Sequence, residues 1–126
     1  MSPEEFLSAL EASRRFEIDS VGATFTLVMP TEYRARVAVE RANGEESGSV
    51  LNRQIVEAAI VGWSRVKLSH LLPSGPDEEL PFSKENVSLL LEHRQRIADE
   101  LASAIAVKFA LRRKKMGDAK KNSGPA

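Results

Sequence analysis

The stretch from Leu51 to Leu91, LNRQIVEAAIVGWSRVKLSHLLPSGPDEELPFSKENVSLLL, limits the folds open to this chain more than any other. Pro73, Pro76 and Pro81 cannot sit inside a helix, because each lacks an N–H and crowds the preceding turn. They divide the stretch into two helical parts and a spacer. In the first part Leu51, Ile55, Ala59 and Ile60, with Val56 and Trp63 beside them, recur at helical spacing. That spacing predicts a helix over about 49–62 that buries a broad face. Gly62 can end it without steric strain. Beyond the Pro/Gly-bearing spacer, Leu80-Pro81-Phe82 makes an apolar plug. Ser83 then offers its hydroxyl as the N-cap of a Leu-rich helix over about 83–92.

Upstream, Ser2-Pro3-Glu4-Glu5 is a helix start, with Ser2 as N-cap, Pro3 in the first turn and Glu5 placed to close a capping box. Phe6, Leu7 and Leu10 give this short helix one apolar face, and a helix of that length must dock or fray. Phe16 to Val28, FEIDSVGATFTLV, reads as a β-hairpin over about 16–28. Phe16 and Ile18, then Phe25 and Leu27, alternate with polar or β-branched neighbours. Asp19-Ser20-Val21-Gly22 supplies its turn, Gly22 being free to take positive φ. Two strands alone are unstable in water, so the hairpin must pack on helices or join another sheet. Thr31 can cap a helix along TEYRARVAVERA, with Tyr33 and Val37 as a weak stripe, although Arg-Val-Ala-Val-Glu also alternates as a strand would. Asn43 to Gly48 is a polar loop.

Downstream, the longest helical signal runs over about 95–115, and it could continue from the Leu-rich helix through Glu92, His93 and Arg94. Ile97, Leu101, Ile105 and Phe109 repeat every four residues, with Ala98, Ala102 and Ala104 small enough to admit a neighbouring helix closely. Arg112 to Lys115 complement the negative end of its dipole. Gly117 ends it, and 117–126 is a disordered polar tail. The expected fold is therefore mainly α: one small helical domain over 1–116, an N-terminal β-hairpin and a disordered basic C-terminal tail.

Composition narrows function. The 18 basic and 18 acidic residues balance, so no overall field draws the chain to nucleic acid or a membrane. Lys108 to Lys121 nevertheless holds seven basic residues against Asp118 alone, which leaves the body acidic. The basic segment has Phe109 as its only aromatic and matches no groove-reading motif, so a solvated helix end is the better reading than nucleic-acid binding. There is no cysteine, hence no disulfide, thiolate metal site or thiol nucleophile. His70 and His93 stand apart, and no serine near them has a nucleophile-elbow context. No catalytic, cofactor-binding or metal-ligating set is expected. No apolar run approaches the ~18 residues that span a bilayer. The candidate partner-binding residues are Trp63, Phe82, Ile97, Leu101, Ile105 and Phe109, each also readable as core, since helical stripes and lone tryptophans usually pack inside.

The order of these segments is similar to that of the small tail assembly chaperones of long-tailed bacteriophages. IVGWSRV, an acidic Pro/Gly-bearing spacer, LPFSKENVSLLL and a closing Lys/Asn-rich helix carry the resemblance, which covers roughly residues 14–123. It implies a non-enzymatic, mainly helical protein that keeps the long, aggregation-prone tape measure protein in solution and helps recruit tail tube subunits. It also implies self-association, in a spiral around the tape measure protein, a place in the host bacterial cytoplasm and absence from the mature virion. Such proteins often have a longer form made by ribosomal frameshifting, for which Lys114-Lys115 and Lys120-Lys121-Asn122 could supply the slippery codons. Val66 to Leu72 departs from the pattern, standing where a shorter acidic turn is usual. Two alternatives belong to other classes: a head–tail or tail-completion component retained in the virion, and a small DNA-binding regulator that uses the basic end.

Overall fold

The computed structural model describes the backbone of residues 1–42 and 48–123, and side chains over 1–41 and 48–117. The chain is mainly helical, with one three-stranded antiparallel sheet. In order, its elements are α1 (Pro3–Arg14), β1 (Arg15–Ser20), β2 (Ala23–Val28), α2 (Glu32–Ala42), α3 (Gly48–Ala59), β3 (Ile60–Ser64), a 3₁₀ turn at Leu68–His70, α4 (Lys84–His93) and α5 (Gln95–Ser123).

The helix starts follow the chemistry of the sequence. Ser2 Oγ accepts the N–H of Glu5 at 3.1 Å, Thr31 Oγ1 that of Arg34 at 3.2 Å and Ser83 Oγ that of Asn86 at 3.1 Å. Each satisfies one of the donors a first turn leaves without a partner. The hairpin also forms, but its turn is only Val21-Gly22, with φ of 50° and 78°. Asp19 and Ser20 belong to β1, paired with Thr24 and Ala23. The sheet order is β1-β2-β3, so the hairpin gains its third strand from its own chain.

That third strand corrects the helix expected over 49–62. The helix stops at Ala59, and Ile60–Ser64 runs antiparallel to β2. Ile60, Val61 and Trp63 suit a pleated surface, and the free edge of β2 supplies their backbone partners. Thr26 pairs with Gly62 and Leu27 with Ile60, leaving Val61 as a bulge. Gly62 is thus a strand residue and ends no helix.

The core is one cluster. The buried face of β2 (Ala23, Phe25, Leu27) meets Val56 and Ala59 of α3, Val87, Leu90 and Leu91 of α4, and Ile97, Ala98, Leu101, Ala102 and Ile105 of α5. Ala98 and Ala102 of α5 are buried in this cluster, Ala104 is half-buried on the side of Ile18, and α3 with α5 is the principal helix pair of the fold. Among the described residues neither α1 nor α2 contributes to this cluster. The chain breaks between α4 and α5 at Arg94, whose φ of −131° and ψ of 69° are not helical. At the other end α5 passes through Gly117 to Ser123, so the tail expected over 117–126 begins as helix. Residues 43–47 of the expected polar loop, and 124–126, lie outside the described residues.

Candidate functional site

The six partner-binding candidates separate cleanly. Ile97 and Leu101 are 0% exposed, so they hold the core together and are closed to a partner, while Ile105, 2% exposed, belongs to the core and also floors the groove described below. Their four-residue repeat is the repeat of a buried face, as Val56 and Leu90 packed in the same cluster confirm. Phe109, one turn further along, is half-buried.

Trp63 and Phe82 form a clasp. The Trp63 ring meets Phe25 edge-on at 6.2 Å and Phe82 edge-on at 5.2 Å. Its Nε1–H donates to the carbonyl of Leu80 at 2.8 Å. The divergent segment after Trp63 folds back on the acidic spacer: Leu80 N–H donates to Val66 O at 2.7 Å, Leu68 N–H to Glu78 O at 2.8 Å, and Lys67 pairs with Asp77 at 2.8 Å. Val66 is buried by this turn. The indole N–H and both backbone rims are therefore used internally, and the exposed edge of Phe82 is what the clasp offers outward.

His70 belongs to the same region. Its Nδ1 accepts the N–H of Lys67 at 2.8 Å, so Nε2 carries the proton that reaches the Val21 carbonyl at 2.9 Å. Arg94 donates to the His70 carbonyl at 2.8 Å. Hairpin tip, 3₁₀ turn and α4–α5 junction are tied through this one residue. Among the described residues no three His, Cys, Asp or Glu side chains converge as a metal site would require.

Polar staples fix the helices around the core. Arg53 of α3 pairs with Glu57 at 3.0 Å, with Glu92 of α4, and with Ser88 Oγ at 3.0 Å. The bonds to Glu57 and Glu92 raise the guanidinium's pKa further. Asp99 of α5 accepts from Asn52 at 3.1 Å and from Gln95 at 2.9 Å, and these bonds hold its carboxyl below the ordinary range. Ser20, the buried polar residue of the sheet, donates to Glu100, lowering that carboxyl in turn, and Arg96 adds to the effect.

The concave feature lies on the other side of α3. One side of α3 feeds the core, and the adjoining side, with Ile55 and Ala58, turns toward α2. α2 stands away from the body, and a groove of about 980 Å³ opens between α2, α3 and α5. Leu51, Ala59, Ala102 and Ile105 form its floor, and Val37, Ile55 and Phe109 its half-buried walls. Ala58 and Ala106 lie exposed within it. Among the described residues Arg14, Arg34 and Arg41 line the rim together with one carboxylate, Glu11, which is itself paired with Arg15 at 3.2 Å. A large, apolar-floored cleft is where a protein of this size can hold another chain or ligand.

Of the sequence candidates, only Phe109 and the Ile105 floor reach this groove. Ile55 packs against the core as its helical spacing predicts and also walls the groove, whereas nothing in the sequence marks Val37, Ala58 and Ala106 as groove residues, because only the placement of α2 beside α3 brings them together. Two of the seven basic residues of the C-terminal segment have contacts within the fold: Lys108 Nζ lies 5.9 Å from the Phe16 ring centroid, and Arg112 donates to Ser13 O and Oγ at 3.0 Å. No helix among the described residues is long and apolar enough to cross a membrane. No protein-family model matches the chain, and searches of curated proteins and of solved structures find no match either.

Proposed function

We propose that this protein is a non-enzymatic assembly chaperone that holds an amphipathic helix of a client protein in the groove between α2, α3 and α5. Following the likeness of IVGWSRV and LPFSKENVSLLL to phage tail chaperones, the client is the tape measure protein, and tail tube subunits are recruited to the complex. The observation that carries the reading is the groove itself, apolar along its floor and walls and bordered by a helix, α2, that adds nothing to the core. Helix-in-groove binding needs a preformed apolar trough and no reacting groups. The engagement of Lys108 and Arg112 within the fold weighs against the DNA-binding reading.

The test is co-expression with the tape measure protein of the same genome, followed by pull-down and a solubility assay. A soluble complex that forms only when both chains are present, and that is lost with Ala106→Glu in the groove, supports the proposal. A tape measure protein that stays insoluble, with this chain unbound, would overturn it. Retention of the chain in purified particles would favour the virion-component alternative.

A further inference from the structure

α1 presents a puzzle. It is a capped, twelve-residue helix in which no residue is buried, and its apolar face lies in the open, with Phe6 55%, Leu7 65% and Leu10 39% exposed. An isolated helix of this length is marginal in water, and its stability ordinarily comes from burying such a face. The fold provides a trough of matching character in the groove between α2, α3 and α5, and none of Phe6, Leu7 and Leu10 lines it.

Its own α1 cannot turn into that groove without breaking the fold. α1 runs into β1 with no residue between them. Its last turn is fixed by Arg14 Nη1 to Met29 O and Met29 N–H to Arg14 O, both 2.8 Å, and by Arg112 to Ser13 O. A second copy of the chain has no such restriction. Charge points the same way. Glu4 lies three residues before Leu7 and seven before Glu11, so both carboxylates flank one side of the apolar stripe. Among the described residues Glu4 has no ion-pair partner and neither has Arg34 on the groove rim. An acidic, apolar helix faces an apolar trough with an arginine-rich rim.

We infer that the groove between α2, α3 and α5 receives α1 of a second copy of this chain, with Phe6, Leu7 and Leu10 on its floor and Glu4 toward its arginines. The contact is between two different surfaces, a helix on one copy and a groove on the other. It therefore makes a prediction that general stickiness does not: two variants, each defective in a different half, complement one another.

Sedimentation velocity on the full chain over a concentration series tests this. The wild type associates. Leu7→Asp with Leu10→Asp weakens association about a hundredfold, at roughly tenfold for each leucine withdrawn from an apolar contact. Ala58→Glu, which fills the groove and repels an acidic helix, does the same. An equimolar mixture of the two variants regains association, because one supplies the groove and the other supplies α1. Circular dichroism and thermal melts confirm that each variant folds, and Ala106→Glu replaces Ala58→Glu should the latter unfold. A monomeric wild type, variants that associate like the wild type, or a mixture of folded variants that stays monomeric would each overturn the inference. A client helix and α1 of a second copy compete for this one groove, and the Leu7/Leu10 variant separates them: its groove is intact and free of α1, so failure to bind a client there would count against the chaperone reading alone.

Discussion

Val21 occupies a backbone conformation that a β-branched side chain seldom takes, with φ of 50°. A two-residue hairpin turn of this kind needs positive φ at both positions, which Gly22 meets without strain and Val21 does not. The His70 bond to its carbonyl helps hold the turn in place. Val21→Asn should raise stability by about 1 kcal/mol, since asparagine visits this region at lower cost. Denaturant unfolding measures it, and a loss of stability would show that the valine side chain has a packing role outweighing its strain. Trp63 gives a second test. Trp63→Phe keeps a ring between Phe25 and Phe82 but leaves the Leu80 carbonyl without its donor, a loss of about 1–3 kcal/mol. Leu101→Ala, at a fully buried position, should cost about 2–5 kcal/mol. The sequence alone could not assign these roles. Leu101 and Phe109 share one four-residue repeat, yet one is sealed in the core and the other borders a groove, because the packing partners of α5 run out between them.

At the scale of elements, caps and turns were legible and tertiary pairing was not. Ser2, Thr31 and Ser83 cap as local chemistry dictates, because the groups they satisfy lie three residues away. The stretch through Ile60, Val61 and Trp63 fits helical spacing as well as it fits a strand, and a short apolar run cannot decide between them. The decision belongs to β2, thirty or more residues earlier in the chain, whose second edge would otherwise be unpaired. Likewise Gly117 is a permissible helix end that α5 passes through. The groove was the least legible feature, since Val37, Ile55 and Ala106 meet only when three helices are assembled. The contacts of α5 with α3 and with β1 also set a pH dependence. Asp99 and Glu100 titrate below their ordinary values of 3.8 and 4.5 because they accept hydrogen bonds, chiefly from Asn52 and Ser20. A carboxyl whose folded pKa is depressed adds stability above its unfolded value and loses it as pH falls through the folded one. Unfolding stability should therefore decline below about pH 5, and Asp99→Asn with Glu100→Gln should flatten that decline. An unchanged acid limb in the double variant would assign the pH dependence elsewhere.

The whole molecule divides into a packed body and an outer pair of helices. The sheet, α3, α4 and the first half of α5 share one core, while α1 and α2 stand outside it. Substitutions on the two parts should accordingly separate folding from binding. Leu7→Asp with Leu10→Asp should leave monomer stability within about 0.5 kcal/mol of wild type, as exposed positions do. In the proposal above, the groove between α2, α3 and α5 is where another helix binds. Its most direct test is an NMR titration of the isotope-labelled chain with helical segments of the tape measure protein, following backbone and methyl signals. The largest shifts are expected at Val37, Ile55, Ala58, Ala106 and Phe109, with Trp63 and the buried Leu90 little changed. Shifts centred on Trp63 and Phe82, or no saturable shifts with any segment, would contradict it.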